Sequence, residues 1–533
     1  MQSLPPLSDI LEDVRAGRQA ELHTSIRPFD IALLILIGLV FWWRISNLEY
    51  NTLFIDEATY ARIGQSILIG QDPSNSLGFM FGSFFYPALS AIASDVGGVV
   101  AMRAVSAILT LIASLYVFLT ARRLFGQTSA FWALFLFALS GPGISLGQQA
   151  VYDVLSVTFL AASMYYTIVA AQRRHGEEKY YVIAGICFAL AILAKYISIA
   201  YLPALAAFAL AVRLRYRGRP VLFSRPAWLL AFCALLIVLS PYFFYNLPQV
   251  QQAFTGQFAT QTVPRMEIIL TMLFDIGLVM GMAIIGLWIC ISEIAQMIKL
   301  RGVSALFFWL IAIVLGLSLF ALPIYHVATG NIRALWKHEV FALVFLAPVA
   351  SVVAARLLNT FWKGSGRYSF EKRVLSAVLL IVGCLWFVRA AYVMNSNFQN
   401  SWPSFARTTA HVERVLRLQA DDFVLASGAS IYEYYLFPHQ PEPNRWQDTW
   451  GFQYNGVWGE PAMLDAVRRC TLDAVILDDY YTPDIQTLLQ PELEAAGYRV
   501  DFEDVQVLYT GLPNRIRIFV PGAEGICGTR PGA

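Results

Sequence analysis

Three acidic residues stand out in a chain that is otherwise largely apolar. Asp56 and Glu57 are adjacent, and Asp153 lies at the start of a long apolar run. A carboxylate within hydrogen-bond distance of a hydroxyl or an amine can remove its proton as that group attacks an electrophile. The simpler alternatives are that a loop acid is only solvated and that an acid at a helix start only complements the helix dipole.

Two groups of basic residues accompany these acids. Lys195 interrupts an apolar run, and Arg333, Lys337, His338 and Glu339 stand close together before another run. A cation inside a membrane is a functional candidate by default, although a lysine that snorkels to the interface is the simpler alternative. Lysine and arginine can offset the negative charge that develops on a phosphate leaving group. Together, the acids and the cations favour transfer of a group from a lipid phosphate to an acceptor hydroxyl or amine.

The same acids raise the question of a metal. Asp56, Glu57 and Asp153 offer the hard oxygen ligands that magnesium and calcium prefer, so a divalent metal is compatible with the sequence. A phosphate leaving group with cations beside it does not require one. We therefore expect a reaction that needs no cofactor, and the involvement of a metal stays open.

The composition indicates that lipid is the solvent for most of the chain. Of its 533 residues, 57% are hydrophobic and only 14% are charged, which departs far from the average soluble protein. A net charge of +2 provides no basic field for nucleic acid, which we exclude as a partner. Cys470 and Cys527, in the C-terminal part, could form a disulfide in an oxidising compartment, but the sequence leaves their pairing open.

Apolar runs of the length needed to cross a bilayer, about 20 residues, define the membrane part. The runs lie at 29–46, 97–120, 129–147, 150–171, 180–213, 227–246, 268–291, 304–325, 334–357 and 374–395. The run 180–213 is long enough for two crossings. A break near Lys195 would divide it, because a cation at mid-bilayer costs about 2.5–3.5 kcal/mol. The sequence therefore predicts eleven transmembrane helices.

The distribution of lysine and arginine among the loops predicts the orientation. Every second loop is basic and the loops between are nearly free of cations, which places the N-terminus in the cytoplasm. After residue 395 the pattern changes to alternating strands and helices, which is typical of a small α/β domain. We expect a cytoplasmic segment 1–28, a transmembrane module 29–395 with a first outer loop 47–96, and an extracytoplasmic domain 396–533.

In their order and context, several segments resemble the GT-C superfamily of membrane glycosyltransferases. The likeness is to the branch of protein O-mannosyltransferases and aminoarabinose transferases, glycosyltransferase families 39 and 83. The segments are Asp56-Glu57-Ala-Thr-Tyr60, Tyr86-Pro87-Ala-Leu-Ser90, Arg103, Ala121-Arg-Arg-Leu-Phe-Gly126, Gln149-Ala-Val-Tyr-Asp153, Gly185 to Lys195, and Lys337 to Pro348. Together they extend over most of residues 29–360.

The resemblance implies a fold and a set of roles. The fold would be mainly α, a bundle of about eleven transmembrane helices with two interfacial helices in the first outer loop. The implied catalytic acids are Asp56, Glu57 and Asp153, with Asp56 as the base. The implied phosphate-binding cations are Lys195 together with Arg333 or Lys337. The implied substrate cavity contains Tyr60, Arg62, Tyr86, Arg103, His338 and Glu339.

Departures from the family pattern leave both substrates unnamed. Tyr86-Pro87-Ala88 lacks the His or Lys and the second Pro of the two best-known branches, so neither mannose nor aminoarabinose is implied. Ala194 stands where the family has Thr, and His338-Glu339 replaces a late Arg-Tyr. The C-terminal domain carries no Trp-Trp-Asp-Tyr-Gly motif of oligosaccharyltransferases. The acceptor, whether a lipid, a glycan or a protein, stays open.

The sequence thus leads to a hypothesis and two rivals. The hypothesis is an inverting transfer of a sugar from a polyprenyl-phosphate donor to an acceptor outside a bacterial-type cytoplasmic membrane. One rival is a transporter or flippase, which commonly shows paired broken helices in two halves. The other is a non-catalytic membrane assembly protein, in which the loop acids would be dispensable and the C-terminal domain essential.

Overall fold

The chain is mainly helical, and its helices were traced in a computed structural model. The structure describes residues 28–70, 84–173, 175–217, 227–245, 247, 263–299, 305–332, 334–363, 369–437, 445–522 and 527. The chain divides into two compact units between Trp43 and Arg44. The elements from Arg44 onward belong to the second unit, which holds the residues considered below.

Long helices occupy the apolar runs of the sequence. Before residue 220 they are α1 Pro28–Ile45, α2 Ile55–Leu68, α3 Phe85–Phe125, α4 Gln127–Ala138, α5 Gly141–Gln148, α6 Asp153–Gln172, α7 Glu178–Ala194 and α8 Leu202–Arg217. Those that follow are α9 Ala227–Tyr245, α10 Arg265–Asp275, α11 Gly277–Lys299, α12 Ala305–Leu319, α13 Ala321–Thr329, α14 Leu335–Lys363 and α15 Ser369–Gln399. A helix or a pair of helices thus coincides with each of the eleven predicted spans.

Not all of these helices are long and apolar enough to cross a bilayer alone. Within the described residues six helices meet that requirement, and eight do so if the bent pairs α4–α5 and α12–α13 each count as one span. The pairs bend by 61° and 62°. The remaining predicted spans coincide with α1, α7 and α9. The multi-pass character of the protein is confirmed, whereas the count of eleven exceeds the number of helices that meet the requirement.

The predicted break near Lys195 is confirmed. Helix α7 ends at Ala194, Lys195 is extended with φ −153° and ψ 115°, and a 3₁₀ turn over Tyr196–Tyr201 leads into α8. An extended residue between two helices turns its side chain out of the helical ladder. The break therefore frees Lys195 to reach a neighbouring helix.

The described residues of the first outer loop form two helical segments, the number that the resemblance implied. At the start of α2 the Phe54 N–H donates to Glu57 Oε2 at 2.9 Å, which is the glutamate half of a capping box. Helix α3 begins at Phe85, and a break at Gly97 and Gly98 separates its first part, inside the predicted loop 47–96, from the apolar run predicted to begin at 97. Glycine permits the positive φ of 59° at Gly98, so one helix can bend where it leaves the interface.

Helices α2 and α3 lie in close contact. A Cβ atom added at Gly64 would come within 1.9 Å of the Pro87 carbonyl oxygen. Only glycine therefore allows this approach. The contact fixes α2, and with it the acids of its first turn, against the start of α3.

The C-terminal part contains a five-stranded mixed sheet. Its elements are α16 Ala406–His411, β1 Val424–Ala426, α17 Ala429–Leu436, β2 Trp446–Asp448, β3 Gln453–Tyr454, β4 Val457–Trp458, α18 Glu460–Arg468, β5 Ala474–Asp478, α19 Pro483–Ala496, β6 Tyr498–Val507 and β7 Pro513–Pro521. The strand order is β2-β1-β5-β7-β6. Strands β2 and β5 run parallel to β1, and β7 runs antiparallel to β5 and β6. The predicted strand and helix alternation is present.

The two faces of this sheet pack against different partners. Ala426, Ile476 and Ile518 share a buried cluster with Leu53 and Ala58 of the first outer loop and α2. The residues next to them on the strands point to the other face, where they pack with α18 and α19. The sheet therefore has two cores, and one of them includes the loop that carries Asp56.

A disulfide joins Cys470 and Cys527, which answers the question the sequence left open. It links the end of α18 to the segment after β7, across 57 residues of chain. Such bonds form and persist in oxidising compartments and are rare in the cytosol.

Candidate active site

The first ion pair of the site joins the first outer loop to α14. Lys337 Nζ donates a hydrogen bond to Asp56 Oδ2 at 2.7 Å, from the first turn of α14 to the first turn of α2. The Asp56 side chain is 32% exposed, whereas that of Lys337 is only 9% exposed. The carboxylate therefore faces water while its cation is largely enclosed.

A second ion pair lies deeper. Lys195 Nζ donates a short hydrogen bond to Asp153 Oδ1, and both side chains are buried. The ammonium lies 5.0 Å from the centroid of the Tyr152 ring, within cation–π range. Asp153 Oδ2 has no hydrogen-bond partner among the described atoms.

The two ion pairs are neighbours. Lys337 interacts electrostatically with Asp153 as well as with Asp56, and Lys195 interacts with Asp56 as well as with Asp153. The Tyr60 ring, 5.0 Å from that of Tyr152, accompanies them. The structure therefore brings Asp56, Asp153, Lys195 and Lys337, four residues predicted to form the site, into one constellation.

Glu57, next to Asp56 in sequence, has a different environment. It is fully buried, and Arg103 donates to its two oxygens at 2.9 and 2.8 Å. The backbone N–H groups of Phe54 and Ala150 donate to the same carboxylate. With both oxygens engaged, Glu57 has no atom directed at a substrate.

Arg103 uses its remaining N–H groups to hold the preceding loop. It donates to the carbonyl oxygens of Leu48, Asn51 and Thr52, and its guanidinium lies 4.1 Å from the Tyr50 ring centroid. The Glu57–Arg103 pair thus fastens the segment before α2 to α3 and, through Ala150, to the start of α6.

The other residues predicted to form the substrate cavity lie around this centre. Arg62 donates to the Phe437 carbonyl oxygen and lies 3.7 Å from Glu433. The Tyr86 hydroxyl is 3.2 Å from that of Ser106. The contacts of Arg62 join α2 to the C-terminal domain, and the Tyr86 contact joins the two parts of α3.

The polar group before the tenth predicted span is only partly accounted for. His338 Nδ1 lies 2.8 Å from His326 Nε2, and Glu339 is fully buried with Asp275 as its nearest charged neighbour. Arg333 lies outside the described residues. Of this group, Lys337 alone is among the residues that line the large cavity described next.

A cavity of about 1050 Å³ opens beside Asp56. The bundle side of its lining includes Phe54, Asp56, Gln149, Trp336 and Lys337. The C-terminal domain supplies much of the remaining lining, including Trp450, Glu460, Tyr480, Tyr481 and Asp484. This contribution was not predicted from the sequence. The signal available was the concentration of Trp and Tyr just after strand patterns in the C-terminal domain.

The C-terminal domain also caps the loop that carries Asp56. The backbone N–H groups of Leu53 and Ile55 donate to the hydroxyls of Tyr435 and Tyr481, at 3.1 and 3.2 Å. The first N–H groups of a helix lack partners within it, so these tyrosines satisfy donors at the start of α2. The position of Asp56 therefore depends on the C-terminal domain.

A buried acid supports Tyr481. Asp478, at the end of β5, accepts hydrogen bonds from the backbone N–H groups of Tyr480 and Tyr481 at 2.8 and 2.6 Å. Burial raises the pKa of Asp478 from 3.8 to about 7, against the lowering effect of these hydrogen bonds.

The acids of the site do not come together as a metal site. Among the described residues no group of three His, Cys, Asp or Glu side chains could hold an ion. Asp56, Glu57 and Asp153 instead each face a cation of their own. As described, each of these acids is occupied by a cation, and we derive no step through a metal.

Comparison with known proteins gives a partial sequence match and several structural ones. A family model for dolichyl-phosphate-mannose-protein mannosyltransferases matches residues 80–245. No curated protein matches the sequence. The crystal structure of ArnT from Cupriavidus metallidurans bound to undecaprenyl phosphate superposes with a TM-score of 0.54 at 14% identity, covering 91% of this chain and 97% of that one.

Two further structures share the fold. AglB, an archaeal oligosaccharyltransferase from Archaeoglobus fulgidus in complex with an inhibitory peptide and a dolichol-phosphate, gives a TM-score of 0.51 at 14% identity, covering 93% of this chain and 77% of that one. The arabinofuranosyltransferase AftD from Mycobacteria gives 0.51 at 14% identity, covering 92% of this chain and 40% of that one.

The structural matches confirm the predicted fold, a mainly α, multi-pass bundle of apolar helices with a small C-terminal α/β domain. The likeness in sequence is to the dolichyl-phosphate-mannose-protein mannosyltransferases, over residues 80–245. A shared fold does not fix the sugar or the acceptor, which depend on the site.

Proposed function

We propose that this protein transfers a sugar from a polyprenyl-phosphate donor to an acceptor hydroxyl or amine in a single inverting displacement. The observation that carries the proposal is Asp56, which is partly exposed to a large cavity and paired with the enclosed Lys337. The structures of ArnT with undecaprenyl phosphate and of AglB with a dolichol-phosphate support the choice of donor.

The proposed reaction uses Asp56 as the general base. Its carboxylate takes the acceptor proton while the acceptor atom forms a bond to the anomeric carbon. The bond between that carbon and the phosphate oxygen breaks, and its electron pair leaves with the polyprenyl phosphate. Attack opposite to the leaving group inverts the anomeric centre.

Lys337 and Lys195 have the complementary task. Their ammonium groups would bind the donor phosphate and stabilise the charge it gains as it leaves. A phosphate that drew Lys337 away from Asp56 would at the same time release the base for the acceptor. Glu57 was predicted as a catalytic acid; we propose instead that it and Arg103 position the loop.

We propose that this chemistry takes place outside the cytoplasm. The alternation of basic loops supports a cytoplasmic N-terminus. The disulfide between Cys470 and Cys527 supports an oxidising location for the C-terminal domain, and that domain lines the same cavity as Asp56.

Native mass spectrometry of the purified protein with added undecaprenyl phosphate tests the donor site. We expect a lipid adduct that weakens about tenfold in Lys195→Ala and in Lys337→Ala, since a hydrogen bond to a charged group contributes about 1.5–3 kcal/mol. Lys372→Ala, an exposed cation at the start of α15, is the matched control and should bind as the wild type does.

Two outcomes would contradict the proposal. Absence of the adduct in the wild type would favour the transporter or the assembly protein. An adduct that is unchanged in Lys195→Ala and Lys337→Ala but lost in Lys372→Ala would show that the lipid binds elsewhere.

A further inference from the structure

The wall of the cavity formed by the C-terminal domain has a repeated design. Trp450 and Tyr480 each stand two residues after a buried or partly buried aspartate that ends a strand, Asp448 on β2 and Asp478 on β5. The Trp450 N–H donates to Asp448 Oδ1 at 3.0 Å, and the Tyr480 N–H donates to Asp478 Oδ1 at 2.8 Å. The same aspartate turn thus places an aromatic side chain twice.

This design lies at the carboxyl ends of parallel strands. Strands β2 and β5 flank β1 and run parallel to it. Ligands of open α/β sheets bind in the crevice outside these ends. The aromatic side chains are exposed there, 61% for Trp450 and 37% for Tyr480. Side chains of this size and apolar character are more often largely buried, so their exposure at the cavity is informative.

The charges of the cavity disfavour an anionic acceptor. Among the described residues its lining has the acids Asp56, Glu460 and Asp484 and one lysine, Lys337, which pairs with Asp56. Glu460 and Asp484 are exposed and lie on the side of the C-terminal domain. Like charges across an interface cost affinity, so an anionic acceptor would be repelled there. Carboxylates only accept hydrogen bonds when ionised, and hydroxyl groups can supply them.

We propose that the acceptor is a neutral carbohydrate that lies against Trp450, Tyr480 and Trp336, with its hydroxyls donating to Glu460 and Asp484. The flat aromatic faces would pack against the apolar C–H faces of the sugar rings. The volume of about 1050 Å³ reaches the upper end of the roughly 300–1,000 Å³ of small-molecule sites, which leaves room for several rings. This inference rests on the proposed function, because it assigns the acceptor of that same reaction.

Saturation-transfer NMR on the full-length protein in detergent tests the inference. The probes are short neutral gluco- and manno-oligosaccharides, the same oligosaccharides carrying a phosphate, and Ser/Thr-rich peptides. We expect saturation of the neutral oligosaccharides and about tenfold weaker binding in Trp450→Ala, with binding largely retained in Trp450→Phe. Trp458→Ala is the matched control, since Trp458 is 64% exposed on β4 and is not among the cavity residues.

Each other result overturns the inference. Preference for the phosphorylated oligosaccharides would indicate an anionic acceptor, and preference for the peptides would indicate a protein acceptor. Equal binding by Trp450→Ala and the wild type, or no saturation of any neutral oligosaccharide, would remove the carbohydrate site.

The undecaprenyl phosphate adduct separates this failure from failure of the proposed function. If the protein binds the lipid through Lys195 and Lys337 but binds no neutral oligosaccharide, the proposed reaction stands and only the assignment of the acceptor is wrong. If the protein binds no lipid, both proposals are wrong.

Discussion

Two acids that are neighbours in the sequence, Asp56 and Glu57, occupy opposite kinds of site. Asp56 has one enclosed cation and is partly open to a cavity, whereas Glu57 is buried and engaged at both oxygens. Successive residues of a helix point about 100° apart, so one turn of α2 can address both water and the protein interior. The difference separates a group able to exchange a proton from a group that fixes the loop.

The largest effect is expected from a change at Asp56, the acid that is open to the cavity. Asp56→Asn should lower the transfer rate by about 10²–10⁴-fold, the range of general-base contributions, because an amide cannot take the acceptor proton. Its thermal unfolding should change little, since Asn can still accept a hydrogen bond from Lys337. The rate is measured with reconstituted protein and a lipid-linked sugar donor. Unchanged transfer would remove Asp56 from the base role.

Breaking the buried ion pair between Glu57 and Arg103 should lower the stability of the fold instead. Arg103→Ala leaves Glu57 as an uncompensated buried charge and should cost about 3–5 kcal/mol of the free energy of unfolding. Thermal unfolding in detergent measures the loss. Arg469→Ala removes an arginine whose pair with Asp465 is well exposed on both sides, 62% and 39%, and it should cost under about 1 kcal/mol. Equal losses in the two variants would contradict the distinction between the pairs.

A subtler change tests whether the C-terminal domain holds Asp56 in place. Tyr481→Phe removes the acceptor of the Ile55 N–H and should cost about 1 kcal/mol, with a several-fold loss of transfer rate at unchanged lipid binding. Titrating lipid and acceptor separately distinguishes the two effects. A loss of lipid binding equal to the loss of rate would show that the tyrosine acts on the donor site.

The last prediction concerns the pH dependence that the acid behind Tyr481 gives to stability. Because burial raises the pKa of Asp478 to about 7, its protonated form is favoured in the folded state, and its contribution to stability is lost as the pH rises from about 4 to about 7. Thermal unfolding followed over this window should show a falling Tm that flattens in Asp478→Asn. A residual slope is expected from Asp448, whose pKa burial raises to about 6. An identical slope in wild type and variant would contradict this account.

The sequence predicted the helices well, and it named the acids and cations that the structure brings together, although it did not predict how they pair. Long apolar runs have few alternatives to a helix in lipid, and Lys195 is costly enough at that depth to mark a break. The order of the family-like segments indicated that Asp56, Asp153, Lys195 and Lys337 belong to one site. The separate task of Glu57 was missed because adjacency in sequence does not tell which face of a helix a residue occupies.

The contribution of the C-terminal domain could not be predicted from the sequence. The hydroxyls of Tyr435 and Tyr481 meet α2 only through the packing of the sheet, and no short motif encodes that contact. The pairing of Cys470 with Cys527 needed a distance that the sequence does not contain.

The tyrosine caps on α2 also have a consequence for the timing of biosynthesis. Leu53 is followed by its partner Tyr435 after 382 residues, and Ile55 by Tyr481 after 426 residues. At a synthesis rate of about 5–20 residues per second, the second interval lasts roughly 20–85 seconds. During that time the start of α2 has neither cap. We therefore expect each new molecule to remain inactive until the ribosome has delivered the last quarter of the chain.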